Sequence, residues 1–516
     1  DAVLFVNGRR IGDILRPAGE LDVSRHLAYG ATNEVALYCT FTGEGTDYGK
    51  CPLDYDMRRV HDFRCPAPQF LASDGPVISD VFANTSWRKR KLTVEVEVKE
   101  PAGTSRTGGT SRTLEAEILD QEGKLVKRAA MSCESCGSCA SYALDIPWEN
   151  PITWELGHPY LYTAKVKLGD FDSRTVRFGF RELWREGREL MMNGHKLHLR
   201  THYSFGVGKY GAMFMRQMGY NCATYNHCMA PEGNADAATL DGLDEIGYGA
   251  VFSCGGLPTL CGWDFRTNTT RRAYVDRFAR HFHRMTRNHP SMIASYVTQM
   301  IICDIAFGPE AIAQTAGRTD RHRLIDYVCD YHRRFNPNIL YYSHADGSCG
   351  DIASGNMYLN WTPLQERVEW LNQWAEKGLY PWHGAEFGQP YGGCWYSPAR
   401  LLCLSEHLAR YFGNAAYEQE PMIYLEHARA NGDTNPTWHG GKAAMEYGWH
   451  PLYWELHKLW CWQTNSRWRG NGHNGGNNYF KLRDLGGAVG FDVDYDEATK
   501  TMIVESVSCF FDEFRV

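Results

Sequence analysis

The sequence predicts a multidomain protein in which N-terminal β-sandwich domains precede a TIM (β/α)8 barrel. Three observations carry this. Apolar residues recur at every second position in the N-terminal third, and strand candidates alternate with amphipathic helical patterns from about residue 190. The chain has 516 residues, enough for about three domains at roughly 100–200 residues each.

In the N-terminal third, Ala2-Val3-Leu4-Phe5-Val6 runs into the turn signal Asn7-Gly8, and Asn33 to Tyr38 repeats an apolar run after Gly30. Leu92-Thr93-Val94-Glu95-Val96-Glu97-Val98 alternates throughout, so one face packs and the other meets water, as in an antiparallel sandwich. Further strands are expected over Leu114–Leu119, Tyr160–Leu168 and Thr175–Phe180. Between Leu92–Val98 and Leu114–Leu119, the tandem Gly-Thr-Ser-Arg-Thr repeats of residues 103–113 are poor in apolar residues and read as a surface loop.

After residue 190, short strands are expected over Lys196–Arg200, Tyr220–Thr224, Gly249–Ser253, Met292–Val297, Ile339–Ser343, Asn356–Tyr358 and Pro381–Glu386, with a last one near Trp468. Helical faces lie between them: Tyr274, Val275, Phe278, Phe282 and Met285; Leu324, Ile325, Val328, Tyr331 and Phe335; Leu364, Val368, Leu371 and Trp374; and finally Leu452, Leu456 and Leu459. Such alternation implies a parallel sheet, and about eight repeats is the count of a TIM barrel, whose chemistry sits at the C-terminal ends of its strands.

Composition narrows the partners. With 54 Lys and Arg against 61 Asp and Glu the net charge is −7, so no basic excess exists to neutralise phosphate backbones and no nucleic-acid partner is expected. No run approaches the roughly 18 apolar residues of a membrane helix, and membrane insertion is not expected. The 20 His include no His-Glu-x-x-His array, so neither a metal nor another cofactor is anticipated. Among the 17 Cys, the cluster Cys133, Cys136 and Cys139 resembles the start of an iron–sulfur run, but Ala143 stands where the fourth Cys belongs; a loop or a local disulfide is the better reading. The 16 Trp and 29 Tyr supply the flat amphipathic rings that a sugar-binding cleft uses.

Several motifs, in order, resemble glycoside hydrolase family 2, the β-galactosidase and β-glucuronidase group. They are Ile78-Ser79-Asp80-Val81-Phe82, His158-Pro159-Tyr160-Leu161-Tyr162, Phe178-Gly179-Phe180-Arg181-Glu182, Met192-Asn193-Gly194, Met218-Gly219-Tyr220-Asn221 through His227, Arg287-Asn288-His289-Pro290-Ser291 and Ala385-Glu386-Phe387-Gly388. The resemblance extends to about residue 470. It implies a partial jelly-roll sugar-binding-like domain over 1–75, an immunoglobulin-like sandwich over 76–175, the TIM-barrel catalytic domain over 176–485, and a strand-rich tail or the start of a further domain over 486–516. The first piece is shorter than the family's jelly roll, so the chain is expected to begin inside that domain. A secreted or periplasmic location is favoured over the cytoplasm, with a carbohydrate as substrate and a homo-oligomer left open as the assembly state.

The resemblance implies a retaining β-glycosidase acting on β-galactoside or β-glucuronide-type substrates, including polysaccharide-derived ones. Retention needs two carboxyl groups about 5–5.5 Å apart, one attacking the anomeric carbon and the other serving as acid, then base. Glu386 matches the nucleophile, and independently a carboxylate at a strand end beside Gly388, Phe387, Tyr391 and Trp395 suits an aromatic-walled pocket. The family's acid/base pair falls on Gln299 and Met300, neither of which donates a proton near neutral pH. Gln299 suits a sugar hydroxyl, and Met300 only packing. In the second strand the family's Arg falls on Thr224. Three explanations follow: a catalytically impaired carbohydrate-binding relative, a substitute carboxylate such as Asp304, Glu310 or another on a loop, or altered residues at these positions. For substrate binding, Arg200 and His202 are expected after the first strand, Asn221 and His227 at the second, and Asn356 and Tyr358 at the sixth. Trp382, Trp395 and Trp468 are stacking candidates.

Overall fold

A computed structural model describes residues 2–15, 19–39, 72–73, 75–100, 112–133, 139–187, 189–197, 199, 201–204, 208–217, 221–225, 237–254, 264–299, 301–302, 319–344, 346–357, 379–387, 471–472, 491–496 and 501–506. The N-terminal strands β1 (Ala2–Val6), β2 (Arg9–Ile14) and β3 (Val35–Cys39) form an antiparallel sheet in the order β2-β1-β3. Asn7 and Gly8 turn the first hairpin at positive φ, as the Asn-Gly signal requires.

Seven strands follow: β4 (Val77–Ser86), β5 (Lys91–Lys99), β6 (Arg112–Leu119), β7 (Leu125–Cys133), β8 (Cys139–Pro147), β9 (Tyr162–Leu168) and β10 (Asp172–Phe178). They divide into two antiparallel sheets, β4-β5-β8 and β10-β9-β6-β7. The alternation read in Leu92–Val98 is realised: Leu92, Val94, Val96 and Val98 are buried and join Leu114, Ile118, Leu144 and Val166 in one core between the sheets. Strands β7 and β8 go beyond the sequence expectation, because β7 carries exposed Leu125 and Val126 on its outer side, which blurs its period. Cys133 ends β7 as a buried thiol and Cys139 opens β8; Cys136 lies outside the described residues.

A small antiparallel sheet of β11 (Leu183–Glu186), β12 (Glu189–Met192) and β13 (His195–Leu197) comes next. Here the expectation of one strand over Lys196–Arg200 is corrected. The Asn193-Gly194 turn folds His195–Leu197 back onto β12, and the parallel sheet begins only with β14 (Thr201–Ser204).

Its other parallel members are β15 (Cys222–Tyr225), β16 (Gly249–Ser253), β17 (Met292–Gln299), β18 (Leu340–His344), β20 (Ile352–Met357), β21 (Trp382–Phe387) and β22 (Asn471–Gly472), hydrogen-bonded in chain order, while β19 (Gly347–Cys349) pairs antiparallel with β20. The first and last of these strands, β14 and β22, approach within 8 Å between Cα atoms. Helices α1 (Lys209–Gln217), α2 (Ala237–Ile246), α3 (Thr269–Thr286) and α4 (Asp320–Arg333) connect neighbouring strands. Asn268 caps α3 by accepting from the Arg271 amide at 2.9 Å, and Thr319 with His322 forms a capping box on α4. The helical stretches expected around Leu364–Trp374 and Leu452–Leu459 lie outside the described residues. A separate hairpin, β23 (Phe491–Asp496) with β24 (Thr501–Ser506), follows.

The parallel strands have two faces of different character. Ala223, Ala250, Phe252, Tyr341 and Ala353 pack against Val275, Phe282 and Ile325 of the helices. On the inner face Cys222, Val251, Ile293, Leu340 and Ile352, near the strand beginnings, pack with Trp154, Leu183, Leu190 and Leu197. The β11–β13 sheet therefore closes the N-terminal end of the inner face. Further along the strands the buried residues of this face become polar: Thr224, Ser253, His344 and Ser354.

Family-like motifs build the joint between sandwich and parallel sheet. Arg181 is buried and donates to the Met292 carbonyl at 2.5 Å and to that of Asn338, and burial lowers its pKa to about 10. Asn288 hydrogen-bonds both backbone groups of β4, receiving from the Ala83 amide at 2.9 Å and donating to the Val81 carbonyl at 2.8 Å. Asn193 accepts from the Glu182 amide and donates to the Trp154 carbonyl, and Pro290 occupies the space where a Cβ on Gly179 would sit.

Candidate active site

The C-terminal ends of the parallel strands collect the residues with chemistry. Glu386 is the penultimate residue of β21 and stands opposite Asn356 of β20; a register shift between Gly355 and Asn356 sets that pairing. Bulges of this kind redirect a strand where a site needs it. Gln299 ends β17 opposite His344, which ends β18, after another register shift between Tyr296 and Thr298. Met300, next in sequence, lies outside the described residues.

Beneath this rim is a layer of buried polar side chains. Thr224, at the position where the resemblance leads one to expect Arg, is fully buried, and its hydroxyl has no hydrogen-bond partner among the described residues; the same holds for the Tyr342 hydroxyl. A buried hydroxyl left without a partner costs about 1–3 kcal/mol, so each is suited to a water or a ligand hydroxyl. The His383 ring meets Tyr342 edge-on at 5.3 Å. Burial, with a lesser contribution from His344, pushes its pKa down to about 3. His383 is therefore a neutral imidazole near pH 7 and not a proton reservoir.

One buried carboxylate belongs to the rim. Asp346, in the turn after β18, accepts from the Ile302 amide at 2.7 Å, from the Ile301 amide at 3.2 Å and from the Ser343 hydroxyl. Sequence reading left open an unnamed loop carboxylate but did not single out this one. Its signal is the polar run Ser343-His344-Ala345-Asp346-Gly347 at the end of an apolar strand.

Other candidates fall as follows. His202 lies within β14, opposite Ala223, and not after the strand. Asn221 precedes β15, and its carbonyl accepts from the Gly249 amide at 2.8 Å. It therefore sits at the N-terminal end of the sheet, which corrects its expected place on the C-terminal rim. Trp382 opens β21 opposite Ala353, at the far end of that strand from Glu386. Arg200, His227, Tyr358, Trp395 and Trp468 lie outside the described residues, as do Asp304 and Glu310.

Asp241, Asp244 and His289 bring ligand-type atoms within 4.8 Å of one another. Hydrogen bonds already use them: Arg177 pairs with Asp241, while the Ser291 amide and the His289 ring engage Asp244. They are part of the interdomain joint. No helix among the described residues is long and apolar enough to cross a membrane.

A family model described as "Glycosyl hydrolases family 2" matches residues 77–181, so the resemblance read from the motifs is shown on an independent basis. A search of curated proteins returns no match. Among solved structures, the chain resembles a β-glucuronidase of Bacteroides uniformis at a TM-score of 0.55 and 16% identity, covering 80% of this chain and 54% of that one. B. uniformis β-glucuronidase 2, covalently bound to cyclophellitol-6-carboxylate aziridine, gives 0.54 and 16% over 81% of this chain and 54% of that one. A β-galacturonidase from Eisenbergiella tayi bound to galacturonate gives 0.52 and 16%, covering 80% and 76%. At such identities the likeness is one of fold. The chain spans about 54% of the length of both B. uniformis proteins.

Proposed function

We propose that the chain is a retaining β-glycosidase that forms a glycosyl-enzyme on Glu386, with a β-linked galactoside or uronide as substrate. The observation that carries this reading is the register position of Glu386 on the C-terminal rim, opposite Asn356. On this reading the parallel sheet is the wall of a TIM barrel, for which the approach of β14 to β22 is support. The sandwich of β4 to β10 is the immunoglobulin-like domain over 76–175, the first strands are part of a jelly roll over 1–75, the barrel occupies 176–485, and the last hairpin begins the segment 486–516.

Barrel closure matters for the chemistry. Strands β17 and β21 are three steps apart in the sheet, roughly 14 Å at the usual strand spacing if the sheet were flat. Only curvature brings Gln299 and Glu386 to opposite sides of one pocket. There, Glu386 attacks the anomeric carbon while Gln299 and Asn356 hold sugar hydroxyls, with Arg200, His227, Tyr358, Trp395 and Trp468 as further contacts. The bound aziridine in the B. uniformis relative, a covalent adduct in that protein, supports covalent catalysis here.

Met300 at the acid/base position favours a second reading, a carbohydrate-binding relative without the general acid. Loss of general acid catalysis costs about 10²–10⁴-fold and matters least for activated leaving groups. The decisive experiment uses activated aryl β-galactosides, β-glucuronides and β-galacturonides with Glu386→Ala as control. The glycosidase reading expects turnover by the wild type and its loss, by about 10³-fold or more, in the variant. Absence of turnover above the control on every sugar sinks it, and calorimetric sugar binding without hydrolysis or a fluoro-glycoside adduct establishes the second reading.

A further inference from the structure

We infer that Asp346 is a positioning residue for the site: its buried carboxylate holds the amides of Ile301 and Ile302 directly after β17, and thereby fixes the end of that strand, where Gln299 stands on the C-terminal rim. The inference rests on the glycosidase reading above.

A carboxylate taken out of water is tolerated only where donors replace its hydration. Asp346 is fully buried, and both its oxygens are engaged. Oδ1 accepts from the Ile302 amide at 2.7 Å, and Oδ2 accepts from the Ile301 amide at 3.2 Å and from the Ser343 hydroxyl. The Ser343 hydroxyl lies within reach of both the Asp346 carboxylate and the Thr298 carbonyl, the latter at 3.2 Å; its one proton goes to the charged and stronger acceptor, which leaves Ser343 Oγ to accept from the Thr298 hydroxyl. Thr298, Ser343 and Asp346 thus form a donor chain ending on a carboxylate, the arrangement in which each bond strengthens the next.

The clamp is placed at the end of β17. Thr298 lies on β17 and Ser343 on β18, opposite each other beyond the register shift that follows Tyr296. Ile301 and Ile302 are the residues directly after position 300. Two backbone N–H groups aimed at one carboxylate fix the chain direction at that point more tightly than side-chain packing does. With donors on both oxygens, Asp346 works as an acceptor and does not supply the proton that Met300 lacks. Its effect on catalysis passes through the chain it holds.

The test uses the full 516-residue chain, as wild type, Asp346→Asn and Ser343→Ala, on the best aryl β-glycoside of the panel. Amide hydrogen exchange across residues 298–304 reads the clamp, and kcat, KM and azide rescue read its role. The expected result is faster exchange there, unchanged exchange in strand Lys91–Lys99, and a fall in kcat on the order of 10–100-fold with KM nearly constant, because misplacement by about 1 Å costs that much. Ser343→Ala, which keeps the carboxylate, shows the same pattern more weakly and serves if Asp346→Asn fails to fold. Unchanged exchange, or faster exchange with unchanged kcat, overturns the positioning role. Rescue of Asp346→Asn by azide with a glycosyl azide product overturns it too, since Asp346 is then itself the reacting carboxylate. If the wild type neither hydrolyses nor binds the sugars, the glycosidase reading fails and the positioning role with it, while exchange still reports separately whether the clamp exists.

Discussion

The sandwich of β4 to β10 and the parallel sheet of β14 to β22 bury their residues for different ends. Between the sandwich sheets the core is aliphatic and aromatic, with Leu92, Val94, Val96, Leu114 and Ile118 essentially inaccessible. The inner face of the parallel sheet begins the same way, with Val251, Ile293 and Ile352, but turns polar toward the strand ends, where Thr224, Ser253, His344 and Ser354 are equally buried. Apolar burial stabilises at about 25 cal/mol per Å², whereas a buried polar group costs stability unless it is hydrogen-bonded and then adds only about 0.5–1.5 kcal/mol. A fold retains such a layer where it needs directed donors and acceptors. On the proposed reading the sandwich supplies stability and the rim supplies chemistry, with Arg181 and Asn288 joining them.

The harshest way to break this division is to place a charge in the sandwich core. Val94→Asp puts an unpaired carboxylate among Leu92, Val96 and Leu144, and should cost at least about 4 kcal/mol, enough to abolish the cooperative unfolding transition of that region in calorimetry. A rim variant such as Thr224→Val, equally buried but relieved of an unpartnered hydroxyl, should leave stability within about 1 kcal/mol or raise it. Equal losses at both positions would dissolve the contrast.

Acid sharpens the comparison at a smaller magnitude. Between α3 and α4, His283 Nε2 lies 3.1 Å from His332 Nδ1, and His283 stacks on Phe335. Burial pushes the His332 pKa down to about 3 and that of His283 well below its usual value, with His332 and Arg287 adding to the latter. Together with His383, the helix and inner layers around the parallel sheet hold three imidazoles that are neutral when folded and ready to take protons when unfolded. Unfolding then binds protons, so this stability is complete above about pH 6.5 and is lost as the pH falls below it, by up to ~1.4 kcal/mol per pH unit for each imidazole. Urea midpoints followed at pH 7, 6 and 5 should drop for the parallel-sheet region and hold for the sandwich core, where no histidine is buried among the described residues. A pH-independent midpoint for both would refute the account.

At the bottom of the scale stands Arg90→Ala. Its partner Glu149 is bonded at 2.7 Å, but both side chains are mostly exposed. Water screens such a pair, and the melting temperature should not move measurably, the expected change being below about 0.5 kcal/mol.

Local signals were legible because they depend on neighbours in sequence. Alternation in Leu92–Val98 marks a strand whatever it pairs with, Asn7-Gly8 and Asn193-Gly194 mark turns, and the face of Val275, Phe278 and Phe282 marks a helix. Motif order led to the resemblance to family 2, yet several of those motifs proved to be the joint. Arg181, Asn193 and Asn288 hold sandwich and sheet together, and their hydrogen bonds among the described residues run across that joint. The start of β14 was misread because a short apolar stretch cannot say whether it will pair with a hairpin or with a parallel neighbour.

By itself the sequence determined the kinds of element and their order, and its resemblance to family 2 put forward Glu386, Gln299 and Met300 as the candidate site positions. Register was decided only by the tertiary structure. The shift that sets Glu386 opposite Asn356 depends on two strands far apart in the chain. The Asp346 clamp closes contacts across 44 and 45 residues. Hydrogen bonds of such reach leave no period in the sequence, because each side chain answers to a partner that only folding brings near.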